Sequence, residues 1–177
     1  MGFQAIKDRV RLFNREILNP ITLSIAGRPY SPYAIVQHEG RKSGRMYTTP
    51  VVAREVEDGY VIPLPYGADT DWCRNVIAAN GAVIAANGDA YAVGHPEVIP
   101  PDEALGAFPV WLGWLLDAAE TEAYLTVERV SNSPEPPSVY RTMIADYPIS
   151  RAMLALGGVI LIMALLIVLI RGLRREA

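Results

Sequence analysis

The sequence predicts a mainly β (α+β) fold: a small β-barrel preceded by an amphipathic helix and followed by a transmembrane helix. Three observations predict it. Seven short β-type runs follow Pro20, and the turn sequences Glu57-Asp58-Gly59 and Asn87-Gly88-Asp89 join neighbouring runs. Residues 3–18, FQAIKDRVRLFNREIL, repeat apolar side chains at three- and four-residue intervals. Ala152 to Ile170, AMLALGGVILIMALLIVLI, contains no charge and no side-chain hydrogen-bonding group.

Taken in order, Phe3, Ile6, Val10, Phe13 and Ile17 share one face of the first helix, which Asn19-Pro20 is expected to end. Lys7, Arg9, Arg11 and Arg15 lie off that stripe. The helix therefore either packs on the domain with a solvated basic face or lies in an anionic membrane interface. Strands are expected at Thr22–Ala26, Tyr33–His38, Tyr47–Glu55, Tyr60–Pro65, Ala82–Ala86, Ala90–Val98 and Ala123–Val130, forming an antiparallel meander. Pro63 and Pro65 exclude Tyr60–Pro65 from the role of an ordinary central strand, because proline cannot donate to a ladder. Two helices interrupt the strands: Asp71–Ala79, opened by an aspartate cap, and Asp102–Ala118, opened after Pro100-Pro101. Seven short strands with few helices suggest a small barrel.

The chain divides into a barrel domain at 1–130, a linker and short helix at 131–150, and an anchor at 151–177. SNSPEPPS at 131–138 reads as the linker and Val139–Ile149 as the helix. At ~1.5 Å per residue the uncharged stretch spans roughly 28 Å, close to the ~30 Å hydrocarbon core of a bilayer. A buried core helix usually keeps a polar stripe, and this one has none. Arg171, Arg174 and Arg175 favour a cytoplasmic C-terminus. The first thirty residues, however, carry no apolar export signal. The expected topology is a cell-membrane protein with a single-pass C-terminal anchor and its domain in the cytoplasm.

Composition narrows the function. The 177 residues carry 16 Lys+Arg, 19 Asp+Glu and a net charge of −3, with 51% hydrophobic content. That suits one domain and excludes a disordered polar chain. Charge is uneven: residues 1–54 sum to +6, residues 55–150 to −12 and residues 151–177 to +3. An acidic bulk repels nucleic acid but leaves room for a small anion at a local cluster of cations. One cysteine and two histidines exclude an internal disulfide and argue against a closed zinc site.

Two segments could carry chemistry. In Gly40-Arg41-Lys42-Ser43-Gly44-Arg45, three cations sit within five residues, and the glycines free the backbone to turn N–H groups toward one point. It is not a Walker loop, and a solvated hairpin tip is the plainer reading. In Pro63-Leu64-Pro65-Tyr66-Gly67-Ala68-Asp69-Thr70-Asp71-Trp72-Cys73-Arg74-Asn75, a strand leads through Gly67 to a helix N-terminus, which presents donors and the positive end of the helix dipole. On the structural alternative Trp72 anchors the core, Asp69 or Asp71 caps the helix and Asn75 bonds locally.

The two segments in this order resemble the deazaflavin-dependent nitroreductase family, whose members bind coenzyme F420 on a split β-barrel. The likeness runs from Asn19-Pro20 through GRKSGRMYTTP at 40–50 and LPYGADTDWCRN at 64–75 to Pro96-Glu97-Val98, about two-thirds of the chain. It implies a split barrel of the FMN/F420-binding type. By the same resemblance Arg41, Lys42, Ser43, Gly44 and Arg45, together with Pro65, Tyr66, Gly67, Ala68, Trp72 and Asn75, hold the cofactor. The implied activity is hydride transfer from reduced F420 to a quinone, nitro compound or similar lipophilic acceptor, with bilayer lipid around the anchor. Dimers are common in this barrel class, so a homodimer is expected by analogy.

Quinone-reducing members line the acceptor pocket with tyrosines from the late helical region, whereas this chain has Trp111 and Trp114 there. Both are expected at the substrate pocket, with core or a membrane-facing edge as alternatives. Tyr66 and Tyr47 become the candidate proton donors, and for each a purely structural role is the plainer one. His38 is expected as a satisfied barrel histidine and Cys73 as structural. A non-catalytic F420, lipid or fatty-acid binding protein is the alternative on the same barrel, with FMN or haem as alternative ligands.

Overall fold

A computed structural model describes residues 19–145, apart from Pro32, Trp111, Trp114, Leu115 and residues 117–120. The expected helix at 3–18, the anchor at 151–177, Trp111 and Trp114 all lie outside the described residues.

The elements run α1 (Asn19–Ile25), β1 (Tyr33–Glu39), β2 (Met46–Val52), β3 (Arg54–Val56), β4 (Gly59–Pro63), α2 (Asp71–Ala79), β5 (Gly81–Ala86), β6 (Asp89–Ile99), α3 (Pro101–Ala104), a 3-10 turn at Leu105–Ala107, β7 (Tyr124–Arg129) and α4 (Pro137–Ala145). The strands form one seven-stranded sheet in the order β2-β1-β5-β6-β7-β4-β3, and every pairing is antiparallel. The consecutive strands β1–β2, β3–β4, β5–β6 and β6–β7 pair with one another, but β1 also pairs with β5 and β4 with β7, so the connectivity is not the expected meander. The two strands at opposite ends of that order, β2 and β3, are separated in sequence by Ala53 alone. One residue can join them only if the sheet curls until its ends meet, which makes the fold a nearly closed barrel.

Alternation along the strands fills the barrel. Ala34, Val36, Val51, Tyr60, Ile62, Leu64, Ile84, Val93, Leu125 and Val127 point to one interior cluster, and Cys73 and Val76 of α2 join it. On the outer face, Ile35 and Ala85 are covered by Leu23 and Ala26 near α1 and by Met143 of α4. Val61 and Tyr124 are covered by Ala104, Phe108 and Leu116. Arg129 continues the inward series of β7 and lies between two rings, 5.2 Å from the centroid of Tyr60 and 4.8 Å from that of Tyr91. Its guanidinium also pairs with Glu55 of β3. One side chain thus ties four strands together.

Several expectations need correction. Thr22–Ala26 is not a strand: Asn19–Ile25 is helical, with Pro20 in the first turn, where its missing N–H costs nothing. The single strand expected at Tyr47–Glu55 breaks at Ala53 to turn the barrel's corner. The helix expected from Asp102 to Ala118 is, at its start, only α3 and a 3-10 turn that contains Gly106, with Pro109 just beyond. Although β4 sits between β7 and β3, its β3 partner reaches only Val61, so Pro63 is paired on one side alone. Residues 131–138 are not wholly a linker, because α4 begins at Pro137 and Glu135 N–H donates to the Ala90 carbonyl at 2.7 Å.

Gly59 also has another purpose than positive φ. A Cβ there would sit 1.9 Å from the Val127 carbonyl oxygen, so close approach of β4 to β7 requires glycine. At the other hairpin the expectation holds: Asn87 and Gly88 have φ of 53° and 99°.

Candidate functional site

The basic loop Gly40–Arg45 is the tip of the β1–β2 hairpin. Gly40 N–H donates to the Arg45 carbonyl at 2.7 Å and Gly44 N–H to the Gly40 carbonyl at 2.8 Å, which closes a tight turn. Gly44 makes it with φ of 64°. The second segment leaves β4 at Pro63 and turns at Gly67, whose φ is 79° and whose N–H donates to the Leu64 carbonyl at 2.8 Å. It then enters α2, whose bounds match those expected from the sequence. The capping residue is Thr70 rather than Asp71, and its side chain makes no cap bond. The Thr70 hydroxyl is buried without a hydrogen-bond partner. The first helix amide to find a carbonyl is Arg74, bonded to Thr70 at 3.0 Å, since the amides of the first turn have no partner within a helix.

Arg41 joins the two segments. Its guanidinium donates to Asp71 Oδ1 at 2.8 Å, to the Asp71 carbonyl at 3.3 Å and to Asn75 Oδ1 at 2.7 Å. Its main-chain N–H donates to the same Asn75 oxygen at 3.2 Å. Hydrogen bonding from Arg41 holds the Asp71 carboxyl below its ordinary value, with exposure leaving little burial to oppose it. Asn75, though polar, is 6% exposed. Its Nδ2 reaches His38 Nδ1 at 3.2 Å, and His38 Nε2 reaches Thr49 Oγ1 at 3.2 Å.

His38 is 3% exposed, and burial lowers its pKa, with the Glu39 main chain acting in the opposite direction. Tyr47 stacks on its ring at 5.9 Å, and the Tyr47 hydroxyl lies 3.1 Å from Ser43 Oγ. The loop, the hairpin stem and the helix are therefore one connected structure.

Of the residues singled out from sequence, Arg41, Ser43, Tyr47 and Asn75 converge. Lys42, Gly44 and Arg45 lie exposed on the same loop, and among the described residues neither cation is in an ion pair. Pro65 and Tyr66 are exposed on the second turn, beside Gly67. Ala68 and Trp72 pack against the barrel interior, so both have at least the structural role weighed for Trp72. A Cβ on Gly67 would meet nothing within 4 Å, which leaves the space beside the turn open.

Cys73 is fully buried, and burial pushes its thiol up to about 11, with Asp69 adding to the effect. It is a structural thiol. Sequence reasoning missed the Asp71–Arg41 pair, because its partners are 30 positions apart and no local pattern links them.

No family model matches the sequence, and no curated protein does. Several solved structures show distant likeness, among them the following three. HutZ, the heme storage protein from Vibrio cholerae, is 8% identical with a TM-score of 0.45, covering 71% of this chain and 90% of its own. An F420 reductase is 15% identical with a TM-score of 0.41, covering 64% of this chain and 92% of its own. A structure described as a domain-swapped dimer is 18% identical with a TM-score of 0.43, covering 69% and 98%.

Proposed function

We propose that the chain is a membrane-anchored oxidoreductase that uses reduced F420 to reduce a quinone, nitro compound or similar lipophilic acceptor. The observation that carries the reading is the Arg41 clasp. It draws a loop whose two further cations, Lys42 and Arg45, are in no ion pair among the described residues, against a helix N-terminus whose first amides have no intrahelical partner. A phosphodiester and carboxylate tail needs a local arrangement of this kind rather than a basic protein. The buried Thr70 hydroxyl is a further polar group in the same turn with no protein partner.

On this reading Lys42, Arg45 and the amides around Gly44 and Gly67 hold the anionic part, while Arg41, Asn75 and Ser43 fix the loop. F420, when bound in its reduced form, supplies the hydride. FMN is the alternative ligand with the same demand for phosphate contacts. Tyr66 and Tyr47 flank the two segments, and a phenol there would protonate the reduced acceptor. The Tyr47 hydroxyl lies 3.1 Å from Ser43 Oγ, at the base of the basic loop.

Anchoring through 151–177 would concentrate the domain, on the cytoplasmic side, where lipophilic acceptors dissolve, with Trp111 and Trp114 at the acceptor pocket. The protein would act as a homodimer.

The test titrates the purified protein in detergent with oxidised F420, binding being followed by deazaflavin fluorescence, and then mixes the protein with reduced F420 and menadione, oxidation being read as the return of that fluorescence. Binding at micromolar levels with menadione-dependent oxidation is expected. Absence of binding would reject the reading, and binding without oxidation would make the protein a carrier.

A further inference from the structure

The buried end of the clasp is a histidine, and its hydrogen bonds have an order that chemistry dictates. Two donors, the Arg41 amide and the Arg41 guanidinium, converge on one Asn75 atom, at 3.2 and 2.7 Å, so that atom must be the carbonyl oxygen. The other Asn75 atom is then the NH2 group, a donor only, and it points at His38 Nδ1 from 3.2 Å. Nδ1 must accept. The proton of neutral His38 therefore sits on Nε2 and is given to Thr49 Oγ1.

We propose that His38 is a pH-responsive positioning residue for the basic loop, its Nδ1 lone pair holding Asn75 in the orientation that grips Arg41. When Nδ1 gains a proton, it faces the Asn75 NH2 group as donor against donor. Asn75 relieves the conflict by turning its amide over, which offers Oδ1 to the imidazolium and NH2 to Arg41. Both Arg41 bonds to Asn75 are lost together. The bonds from Arg41 to Asp71 remain, so the loop loosens about Asp71 rather than leaving the helix.

The surroundings favour the neutral ring at rest. Burial does so, against the Glu39 main chain in β1, which favours the charged ring; Tyr47 of β2 stacks on the ring and Cys73 is buried on α2. Arg41 and Asp71 lie one step further along the chain of bonds. β5, paired to β1 on the other side, carries no titratable side chain.

This inference rests on the proposed function only in taking the loop as the ligand-facing one, and its test needs no ligand. Full-length protein in detergent micelles, labelled with nitrogen-15, is titrated downward from neutral pH by NMR. At neutral pH His38 should show the Nε2–H tautomer. The Arg41 amide and the Asn75 side-chain amide should move with the midpoint of the His38 ring, below the ordinary histidine value. In His38→Gln the Arg41 amide should lose that transition, because the new carbonyl accepts from Asn75 without titrating. An Arg41 amide that follows the Asp71 carboxyl instead, or stays still while His38 protonates, would overturn the proposal. So would an unchanged transition in His38→Gln. If that variant does not fold, the coincidence of midpoints in the unaltered chain decides.

Discussion

Gly40 and Tyr47 are packed so closely that a methyl group on the first would lie 2.6 Å from a ring carbon of the second and 2.6 Å from Ser43 Oγ. The bare backbone at position 40 lets the phenol cross the base of the basic loop and meet Ser43. Gly40→Ala should displace both side chains and cost about 1–3 kcal/mol of stability, as overpacking does. Chemical denaturation measures it. A change within a few tenths of a kcal/mol would mean that the ring simply swings outward.

Among the described residues Lys42 and Arg45 are in no ion pair. Replacing both with alanine should weaken F420 binding by roughly 2–4 kcal/mol, given about 1.5–3 kcal/mol for a hydrogen bond to a charged group and incomplete additivity. Fluorescence titration reads the loss directly. Folding stability should be nearly unaffected, since both side chains are exposed.

The acid limb of stability carries two signatures. Asp71 has a lowered pKa, chiefly through its hydrogen bond from Arg41. It contributes stability that is present above the ordinary carboxylate range and is lost as pH falls through the lowered value. The pair is exposed on the aspartate side, so the amount is within about 1 kcal/mol. His38 also has a lowered pKa, by burial. The unfolded chain then binds its proton first, and stability declines as pH drops below the ordinary histidine value, levelling off beneath the lowered one. Denaturation midpoints measured against pH should flatten in the carboxylate range for Asp71→Asn and in the histidine range for His38→Gln.

Cys73 should resist alkylation in the native protein, because its thiol is fully buried and titrates at about 11. It should react at once in denaturant. Cys73→Ser places a hydroxyl among Val76, Leu64 and Ile84 and should cost about 1–3 kcal/mol. Rapid labelling of native protein would show that α2 opens locally.

Deleting residues 151–177 should move the protein from the membrane fraction to the soluble one. Fractionation after expression decides it, and a truncated chain that stays with the membrane would assign the attachment to residues 3–18.

Much of this was legible in sequence where one periodicity dominated. The α2 bounds follow from a cap position, a run without breakers and an Asn80-Gly81 stop, and the β5–β6 turn follows from Asn87-Gly88. Thr22–Ala26 misled because Leu23 and Ile25 alternate as in a strand. In the fold it is the three-residue spacing of Leu23 and Ala26 that meets Ile35 and Ala85. At the site, the pairing of glycine-flanked cations with a helix start was visible, since both are local. The internal engagement of Arg41 was not, nor was the tautomer of His38. Each depends on contacts across more than thirty positions, which form only when β5 pairs with β1 and brings α2 to the β1–β2 hairpin.

That closure passes through Ala53, and it gives the cradle a ruler. The hairpin bearing the cations and the strand leading into α2 belong to stretches of chain separated by a one-residue step. Their spacing is fixed by covalent length as well as by side-chain contacts. One extra residue spliced in after Ala53 would widen the seam and slide the guanidinium of Arg41 past its acceptors, without altering a single atom of the site itself.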